Sequence, residues 1–382
     1  MTQASAIYGT HLSHLEEEGR LRRIPAEYRP GMVDLCSNDY LGLATRMPEL
    51  HAEFARRFGD APMSSSASRL LSGRQHHYAM LEERLGDLYG RKALLFNSGY
   101  HANTGCISAL NRPGTLFVCD KLIHASIVDG LRLGGCEFTR FRHNDMEALR
   151  KMVAKKSQDY DRLVIVTESI FSMDGDEAPL RELVDIKRGN PKVMLYLDEA
   201  HGFGVRGDRG LGLAEEQGLI GGFDIIILTF GKAAASSGAA AVCDAEMRDY
   251  LLNTARSFIF STALPPACAA WTYLMIEKIE GMAEEREHLK RLGEAFRSQM
   301  PPHAKELCPS TSQIIPFITG DPVKAVELAV RIGEAGFLAL PIRRPTVPPG
   351  GERIRFSLNA ALEIERFSPL FDILESYETG IS

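Results

Sequence analysis

Two stretches decide the fold: Val193-Met-Leu-Tyr-Leu-Asp198-Glu-Ala-His201-Gly202 and Phe223-Asp-Ile-Ile-Ile-Leu-Thr229-Phe-Gly-Lys232. Each begins as a short run rich in Val, Ile and Leu, which predicts a strand buried on both faces. Each then ends in Gly together with polar or ionisable side chains. Because ligands bind at the carboxyl ends of parallel strands, the pattern predicts that a carboxylate, an imidazole and an amine meet at one edge of a sheet.

The chain around these stretches alternates strands with helices. Strand-like runs at 93–96, 115–119, 137–141, 162–167 and 239–243 are separated by helical patterns such as 98–110, 126–133, 146–155 and 180–187. This alternation indicates an α/β fold with a mostly parallel sheet between layers of helices. We expect an N-terminal segment over residues 1–45, a large domain over 46–282 and a smaller α+β domain over 283–382. Near the N-terminus, residues 11–23 predict a polar helix that ends before Pro25.

The composition excludes several classes of protein. The 382 residues exceed one typical core, and a net charge of −6 with a pI of about 6.0 gives no basic surface for nucleic acid or anionic membrane. The seven cysteines are scattered without a CxxC pair, so neither a disulfide framework nor a zinc site is expected. No signal-peptide pattern or long apolar run occurs. We therefore expect a cytoplasmic protein without a metal centre.

Asp198, His201 and Lys232 match the needs of pyridoxal 5'-phosphate (PLP). This cofactor needs an amine for a Schiff base, a carboxylate that keeps its ring nitrogen protonated and a hydrogen-bond partner for its phenolic oxygen. The small residues of 233–238 would leave the Lys232 amine partly desolvated, which lowers its pKa and makes it a nucleophile and later a base. Taken singly, each residue has an ordinary alternative: a solvated lysine, a helix-capping aspartate and a core histidine.

Two further turns lie at the same predicted edge. Asn97-Ser-Gly-Tyr-His-Ala-Asn103 joins a strand to a helix, whose free N–H groups and positive end suit a phosphate. His124 follows the strand ending at Cys119 and is placed to stack on a ring, although capping a helix is an equal alternative. The G-x-G-x-x-G pattern at 202–207 is followed at once by Gly210 and Gly212, so no helix opens on it and no nicotinamide site is expected.

Read in order, these motifs resemble the α-oxoamine synthase family, PLP enzymes of the aspartate-aminotransferase fold (fold type I). The resemblance covers nearly the whole chain. The motifs are Ser37-Asn-Asp-Tyr-Leu-Gly42, Ser98-Gly-Tyr-His-Ala-Asn103, His124-Ala-Ser126, Thr167-Glu-Ser-Ile-Phe-Ser-Met-Asp-Gly-Asp176, Asp198-Glu-Ala-His-Gly202 and Thr229-Phe-Gly-Lys232. Within the family, residues 342–350, Arg353-Ile-Arg355 and His143-Asn-Asp145 resemble the branch that joins L-alanine to a pimeloyl thioester, carried by CoA or a carrier protein.

The resemblance implies a role for each candidate residue. Lys232 would bind the cofactor and remove the Cα proton, Asp198 would pair with the pyridine nitrogen, and His201 would bind the phenolic oxygen. His124 would stack on the ring. The other implied cofactor contacts are Ser98, Gly99, Tyr100, Ser172, Thr229 and, toward the partner subunit's cofactor in a homodimer, Thr262. Arg355 and Asn38 would bind the amino acid's carboxylate, and Arg22 and Thr346 the acyl substrate.

Two alternatives remain open at this point. The nearer one is a sister α-oxoamine synthase such as glycine C-acetyltransferase, and the more distant one is a non-catalytic protein on the same fold. The chain also departs from the family pattern in three places. It has Ser64-Ser-Ser-Ala where relatives carry a Gly-rich loop, Tyr78 where they usually carry a His before a Leu-Glu pair, and Ala233-Ala-Ala where they often carry further Gly.

Overall fold

A computed structural model of the chain describes residues 3–24, 31–73 and 75–380. The helices within these ranges are α1 (Gln3–Glu17), α2 (Met47–Phe58), α3 (His76–Tyr89), α4 (Gly99–Leu110), α5 (Ala125–Leu133), α6 (Met146–Lys156), α7 (Leu180–Arg188), α8 (Leu213–Glu216), α9 (Ala245–Thr254), α10 (Arg256–Ile259), α11 (Pro266–Glu280), α12 (Ala283–Gln299), α13 (Pro302–Leu307), α14 (Pro322–Glu334) and α15 (Ser368–Thr379). None of these described helices has both the length and the apolar character needed to cross a membrane.

The strands in the described part of the chain form one large sheet and two small ones. They are β1 (Val33–Asp34), β2 (Lys92–Phe96), β3 (Thr115–Asp120), β4 (Phe138–Phe141), β5 (Arg162–Glu168), β6 (Val193–Asp198), β7 (Ile225–Thr229), β8 (Ala239–Cys243), β9 (Ile314–Ile318), β10 (Phe337–Leu338), β11 (Pro341–Ile342) and β12 (Arg353–Ser357). The large sheet has the order β2-β8-β7-β6-β5-β3-β4.

The large sheet is mostly parallel, as predicted. Every neighbouring pair from β7 to β4 is parallel, whereas β8 runs antiparallel to both β7 and β2. Alternate residues of β5 enter different apolar clusters: Leu163 and Ile165 pack on one face, and Val164 and Val166 on the other. Both faces are therefore covered, which is why these strands read as continuous apolar runs.

The N-terminal and C-terminal parts of the chain are joined by strand pairing. β1 pairs in parallel with β10, and β11, β12 and β9 form an antiparallel sheet in that order. The carbonyl groups of Leu35 and Tyr40 also accept hydrogen bonds from the backbone N–H groups of Ser357 and Ala360, each at 2.8 Å. The break between α11 and α12 falls at residues 281–282, and we retain a domain boundary there as a proposal.

The first helix begins and ends earlier than the predicted 11–23, which is a correction. It spans Gln3–Glu17, and Gly19 follows with a left-handed φ of 63°. The N–H groups of Gly19 and Arg20 donate to the carbonyl oxygens of Glu16 and Leu15 at 3.0 and 2.7 Å. Glycine adopts this conformation without a Cβ clash and so stops the helix there. Pro25, the predicted stop, lies outside the described residues.

Candidate active site

A cavity of about 340 Å³ opens at the carboxyl edge of the large sheet. This volume lies within the range of small-ligand sites. The residues on its wall lie at the ends of β2, β3, β5, β6 and β7 or in the segments that follow them, where the sequence predicts a site. The wall consists of Ser98, Gly99, Tyr100, Asn103, His124, Ser126, Glu168, Asp198, Ala200, His201, Thr229, Gly231, Lys232, Ser236, Ser237 and Gly238.

Asp198 is the last residue of β6 and is buried. Its Oδ1 atom accepts a hydrogen bond from the N–H of Ala200 at 2.9 Å, and its Oδ2 atom accepts one from Nδ2 of Asn103 at 2.8 Å. The Tyr196 hydroxyl donates to Oδ1 of Asn103 at 2.7 Å and so fixes that amide. Both donors to Asp198 are neutral, and the charge of the carboxylate therefore remains available to a cation in the cavity.

His201 is buried beside the same cavity. Its Nδ1 atom lies 2.6 Å from the Tyr40 hydroxyl, which is also 3.0 Å from Oδ1 of Asn38. Burial, followed by the positive charges of Lys232 and Arg355, lowers the pKa of His201 well below its ordinary value. The ring is therefore neutral near pH 7.

His124 caps a helix and also lines the cavity, while its stacking on a ring remains a prediction. It is the N-cap of α5, where its Nδ1 atom accepts a hydrogen bond from the N–H of Ser126 at 3.2 Å, and its ring also lines the cavity. The hydroxyl of Ser126 in turn accepts a hydrogen bond from Asn103 at 2.9 Å. Burial lowers the pKa of His124, and Lys232 lowers it further while Asp198 opposes the shift.

Phe230 and Gly231 separate Lys232 from the end of β7, and Lys232 lines the cavity. Burial lowers the pKa of its amine to about 8, although the charge of Asp198 and, when it is ionised, that of Glu168 act in the opposite direction. A tight turn follows, in which the N–H of Ala235 donates to the Lys232 carbonyl at 2.8 Å. A substantial fraction of the amine is therefore neutral near pH 7.5, as a nucleophile requires.

The start of α4, where the sequence predicts a phosphate site, lies on the cavity wall. Ser98 is its N-cap, and its hydroxyl accepts the N–H of His101 at 3.3 Å. A Cβ at Gly99 would lie 2.5 Å from Cγ2 of Thr229, so the helix can approach β7 this closely only with glycine. Tyr100 is 48% exposed and donates its hydroxyl proton to Asp129 at 2.8 Å. The first N–H groups of a helix lack intrahelical partners and attract anions.

Arg355 and Asn38 come together near this cavity from opposite ends of the chain. Both terminal nitrogens of Arg355 lie 3.2 Å from Oδ1 of Asn38, and its Nε atom donates to the Ser172 carbonyl at 2.6 Å. Ser172 therefore makes this contact through its backbone, whereas the prediction assigned it a cofactor hydrogen bond. It is not among the residues of the cavity wall.

Three predicted residues lie elsewhere. Arg22 donates to the Thr346 hydroxyl at 2.9 Å, and this exposed pair brings together residues far apart in sequence. Thr262 is outside the cavity wall, and its carbonyl accepts a hydrogen bond from Asn97 at 2.7 Å. The roles assigned to these residues remain predictions.

Four residues that the sequence reasoning did not select also belong to the site: Tyr40, Asn103, Ser126 and Glu168. Glu168 ends β5 directly beside Asp198 in the sheet register. It is buried and its Oε1 atom has no hydrogen-bond partner, while burial and then the charge of Asp198 raise its pKa well above the usual range. The rule that identified Asp198, an acidic residue at the end of a buried strand, would also have identified Glu168.

Comparison with known proteins identifies the family of the chain. The profile of the family described as "Aminotransferase class I and II" matches residues 30–373. A protein of Pasteurella multocida (strain Pm70), named "Putative 8-amino-7-oxononanoate synthase", is 46% identical over 374 residues, which cover 94% of this chain and 97% of that protein.

Two solved structures extend the comparison. A lysine-to-alanine variant of a serine palmitoyltransferase from S. paucimobilis, with a bound PLP-myriocin aldimine, superposes with a TM-score of 0.87 at 27% identity, covering 100% of this chain and 99% of that one. An 8-amino-7-oxononanoate synthase from Francisella tularensis gives a TM-score of 0.77 at 23% identity over 92% and 99% of the two chains, which supports the fold alone.

Proposed function

This chain belongs to the class I and II aminotransferase family, and from that premise we propose that it condenses L-alanine with a pimeloyl thioester. The acyl group would be carried by CoA or by a carrier protein, and the products would be 8-amino-7-oxononanoate, CO2 and a free thiol, as a step of biotin biosynthesis. The enzyme is a PLP-dependent acyltransferase. The observation that carries the proposal is the placement of the buried Lys232 amine in one cavity with the Asp198 carboxylate, where burial lowers the pKa of the amine to about 8.

The cavity fits PLP on the chemistry of its own residues. Asp198 offers a buried carboxylate bound only by neutral donors, which suits the protonated ring nitrogen. Neutral His201 lies beside it for the phenolic oxygen, and the start of α4 with Ser98 and Gly99 suits the phosphate. Lys232 would bind the cofactor's aldehyde carbon, with His124 and Thr229 on the surrounding wall. When bound, PLP supplies the electron sink that stabilises negative charge at the amino acid's Cα.

Lys232 would remove the Cα proton of the amino acid and later return a proton. A general base works best when its pKa lies near the working pH, and a positioned base contributes roughly 10²–10⁴-fold to the rate. The amine of Lys232 meets this condition because burial lowers its pKa to about 8.

Arg355 would bind the amino acid's carboxylate. A guanidinium binds a carboxylate through two parallel hydrogen bonds, and contacts to Asn38 and to the Ser172 carbonyl hold this one in place. The exposed Arg22–Thr346 pair would contact the acyl substrate.

A homodimer with a shared active site also follows from the proposal. Met63 and Leu71 are each 81% exposed and Phe260 is 69% exposed. They lie on the two segments joined by the Ser68–Thr262 bridge, beside the Asn97 turn that leads into the cavity wall. These exposed apolar side chains support the proposal because a subunit interface would remove them from water. Localisation in the cytoplasm remains part of the same proposal.

The test is the visible absorption spectrum of the purified protein with PLP, recorded after separate additions of L-alanine, glycine and L-serine, then of pimeloyl-CoA. The expected result is a strongest response to L-alanine, with the C8 amino ketone and CO2 detected after the thioester is added. Lys232→Ala is the control and should neither attach PLP covalently nor turn over. Preference for glycine would favour a sister activity such as glycine C-acetyltransferase. A protein that remains colourless would favour the non-catalytic alternative.

A further inference from the structure

His143 lies outside the cavity wall, yet it joins two segments that lead into the site. Its Nδ1 atom is 2.9 Å from Oδ1 of Asp120, the last residue of β3, and its Nε2 atom is 2.8 Å from Oδ2 of Asp176. The rings of His143 and Phe171 pack edge to face, with centroids 4.4 Å apart and an interplanar angle of 88°. One imidazole therefore contacts the segment before His124 and the segment around Ser172.

The imidazole carries a positive charge at neutral pH. Burial lowers the pKa of His143, but the hydrogen bonds and charges of Asp120 and Asp176 outweigh burial and raise it to about 10. Asn144 supports the arrangement with its backbone N–H, which donates to Asp120, and with its side-chain amide, which donates to Asp176, both at 2.9 Å. Both ring nitrogens of His143 then donate to carboxylates.

Asp176 and Phe171 form the two ends of a closed loop. The N–H of Phe171 donates to the Asp176 carbonyl at 3.0 Å, and the N–H of Gly175 donates to the Phe171 carbonyl at 2.9 Å. Between them, the Ser172 carbonyl accepts the hydrogen bond from Arg355 at 2.6 Å.

The other arginine of β12, Arg353, binds the same loop. Arg353 donates to the Met173 carbonyl at 3.1 Å and also pairs with the Asp174 carboxylate. The loop held by His143 is thus the loop that orients both arginines of β12.

We propose that His143 is a positioning residue for recognition of the amino acid's carboxylate, acting through the loop 171–176 on Arg355. The proposal rests on the proposed function, because it assumes that Arg355 binds that carboxylate. Without the imidazolium, Asp120 and Asp176 would lose their shared positive partner and keep only neutral N–H donors. Removing one partner of a buried charge pair is strongly unfavourable. The loop would then shift, and the Ser172 carbonyl would no longer hold Arg355 at a fixed angle.

The first measurement is steady-state kinetics of the PLP-loaded full-length enzyme. His143→Gln should raise KM for L-alanine roughly 10- to 100-fold, the scale of effect that follows a misplacement of about 1 Å. KM for pimeloyl-CoA and the covalent attachment of PLP should be unchanged. Asp176→Asn, which leaves His143 paired with Asp120, should change KM in the same direction. If His143→Gln fails to fold, Asp176→Asn decides the question.

The matched control is Lys187→Met. It breaks the half-buried Lys187–Asp224 pair, 2.7 Å apart, at the amino end of the sheet and away from the cavity. It should lower Tm without changing KM for L-alanine. If His143→Gln lowers Tm in the same way and also leaves this KM unchanged, His143 only stabilises the fold and the proposal is wrong.

A second measurement does not depend on the substrate or the cofactor. Amide hydrogen exchange of residues 171–177 in the cofactor-free protein should be faster in His143→Gln than in the wild type, and unchanged in Lys187→Met. If the wild type does not use L-alanine, the proposed function fails, but the exchange rates still test the positioning role. Unchanged exchange at 171–177 would overturn it.

Discussion

The side-chain amide of Asn103 lies 2.8 Å from the carboxylate of Asp198 and joins α4 to the end of β6. The same amide donates to Ser126 and accepts a hydrogen bond from Tyr196. One neutral side chain thus holds the carboxylate at a fixed position without neutralising its charge.

Replacing Asn103 by Ala should weaken PLP binding. A hydrogen bond to a charged group contributes about 1.5–3 kcal/mol, and without it the Asp198 carboxylate can turn away from the ring nitrogen. The measurement is a titration of the cofactor-free protein with PLP. Asn111→Ala, at the other end of α4 where the side chain binds the Gly134 carbonyl, is the control and should leave the affinity unchanged. Equal affinities for Asn103→Ala and the wild type would contradict the role given to this amide.

The reactivity of Lys232 should follow its lowered pKa. Only the neutral amine attacks an aldehyde, so the rate of covalent PLP attachment to the cofactor-free protein should rise with pH and reach half its maximum at about pH 8. Rapid-mixing absorption measurements across this range test the prediction. A rate that is still far from its plateau near pH 10.5, the ordinary lysine value, would show that burial does not lower the pKa of this amine.

Glu168 should make the protein less stable as pH rises. Its pKa in the folded state is raised above the value of 4.5 by burial and by Asp198, so the folded state binds more protons than the unfolded state above pH 4.5. The stability that the protonated Glu168 carboxyl contributes is fully present below pH 4.5, and it is lost as pH rises through the raised pKa of the folded state. In urea unfolding of the cofactor-free protein, Glu168→Gln should flatten this decline, because its amide stays neutral. The control is Glu83→Gln, at a position away from the cavity wall, which should keep the wild-type dependence of the unfolding free energy on pH. If this free energy falls as steeply with pH in Glu168→Gln as in the wild type, Glu168 is not protonated in the folded state.

Gly99→Ala should destabilise the protein by overpacking. The new Cβ would lie 2.5 Å from Cγ2 of Thr229, and forced contacts of this kind cost roughly 1–3 kcal/mol. Chemical unfolding of the cofactor-free protein measures the loss. Thr229→Ser removes the atom in the way, so Gly99→Ala should cost less in the Thr229→Ser background than in the wild type. Gly221→Ala, where a Cβ meets nothing within 4 Å, is the control. An equal cost in both backgrounds would mean that the contact with Thr229 is not the cause.

Ser66→Gly should stabilise the protein. Ser66 has a φ of 56°, and a residue with a Cβ pays about 1–2 kcal/mol for this conformation. Glycine also gives the unfolded chain more conformational entropy, which offsets roughly 0.5–1 kcal/mol of this stabilisation. A modest net increase in the free energy of unfolding is therefore expected. Ala67→Gly, next to it and without a positive φ, should instead lower it. A loss of stability in Ser66→Gly would show that the loop gains nothing from glycine at this position.

The sequence predicted much of the fold because buried parallel strands have a simple pattern. The strand β6 begins at Val193, where the quoted apolar run begins, and the chemistry at the ends of β6 and β7 located the cavity. The predicted bounds of α1 were wrong for two reasons. A polar helix has only a weak apolar pattern from which to place its start, and the left-handed Gly19 ends the helix before Pro25 is reached. The antiparallel direction of β8 was not foreseen, since a buried apolar run gives no information about strand direction.

The sequence by itself determined which reactive side chains lie at the edge of the sheet. The end of a parallel strand fixes the position of the residues that follow it, and Asp198, His201 and Lys232 lie at or shortly after the ends of β6 and β7. Only the tertiary structure decided what those groups do to one another. The neutral state of His201, the unpartnered Oε1 atom of Glu168, the Asn38–Arg355 pair and the contacts of His143 all join segments far apart in sequence. Burial and charge act through space, so these pKa shifts and contacts exist only once the chain is packed.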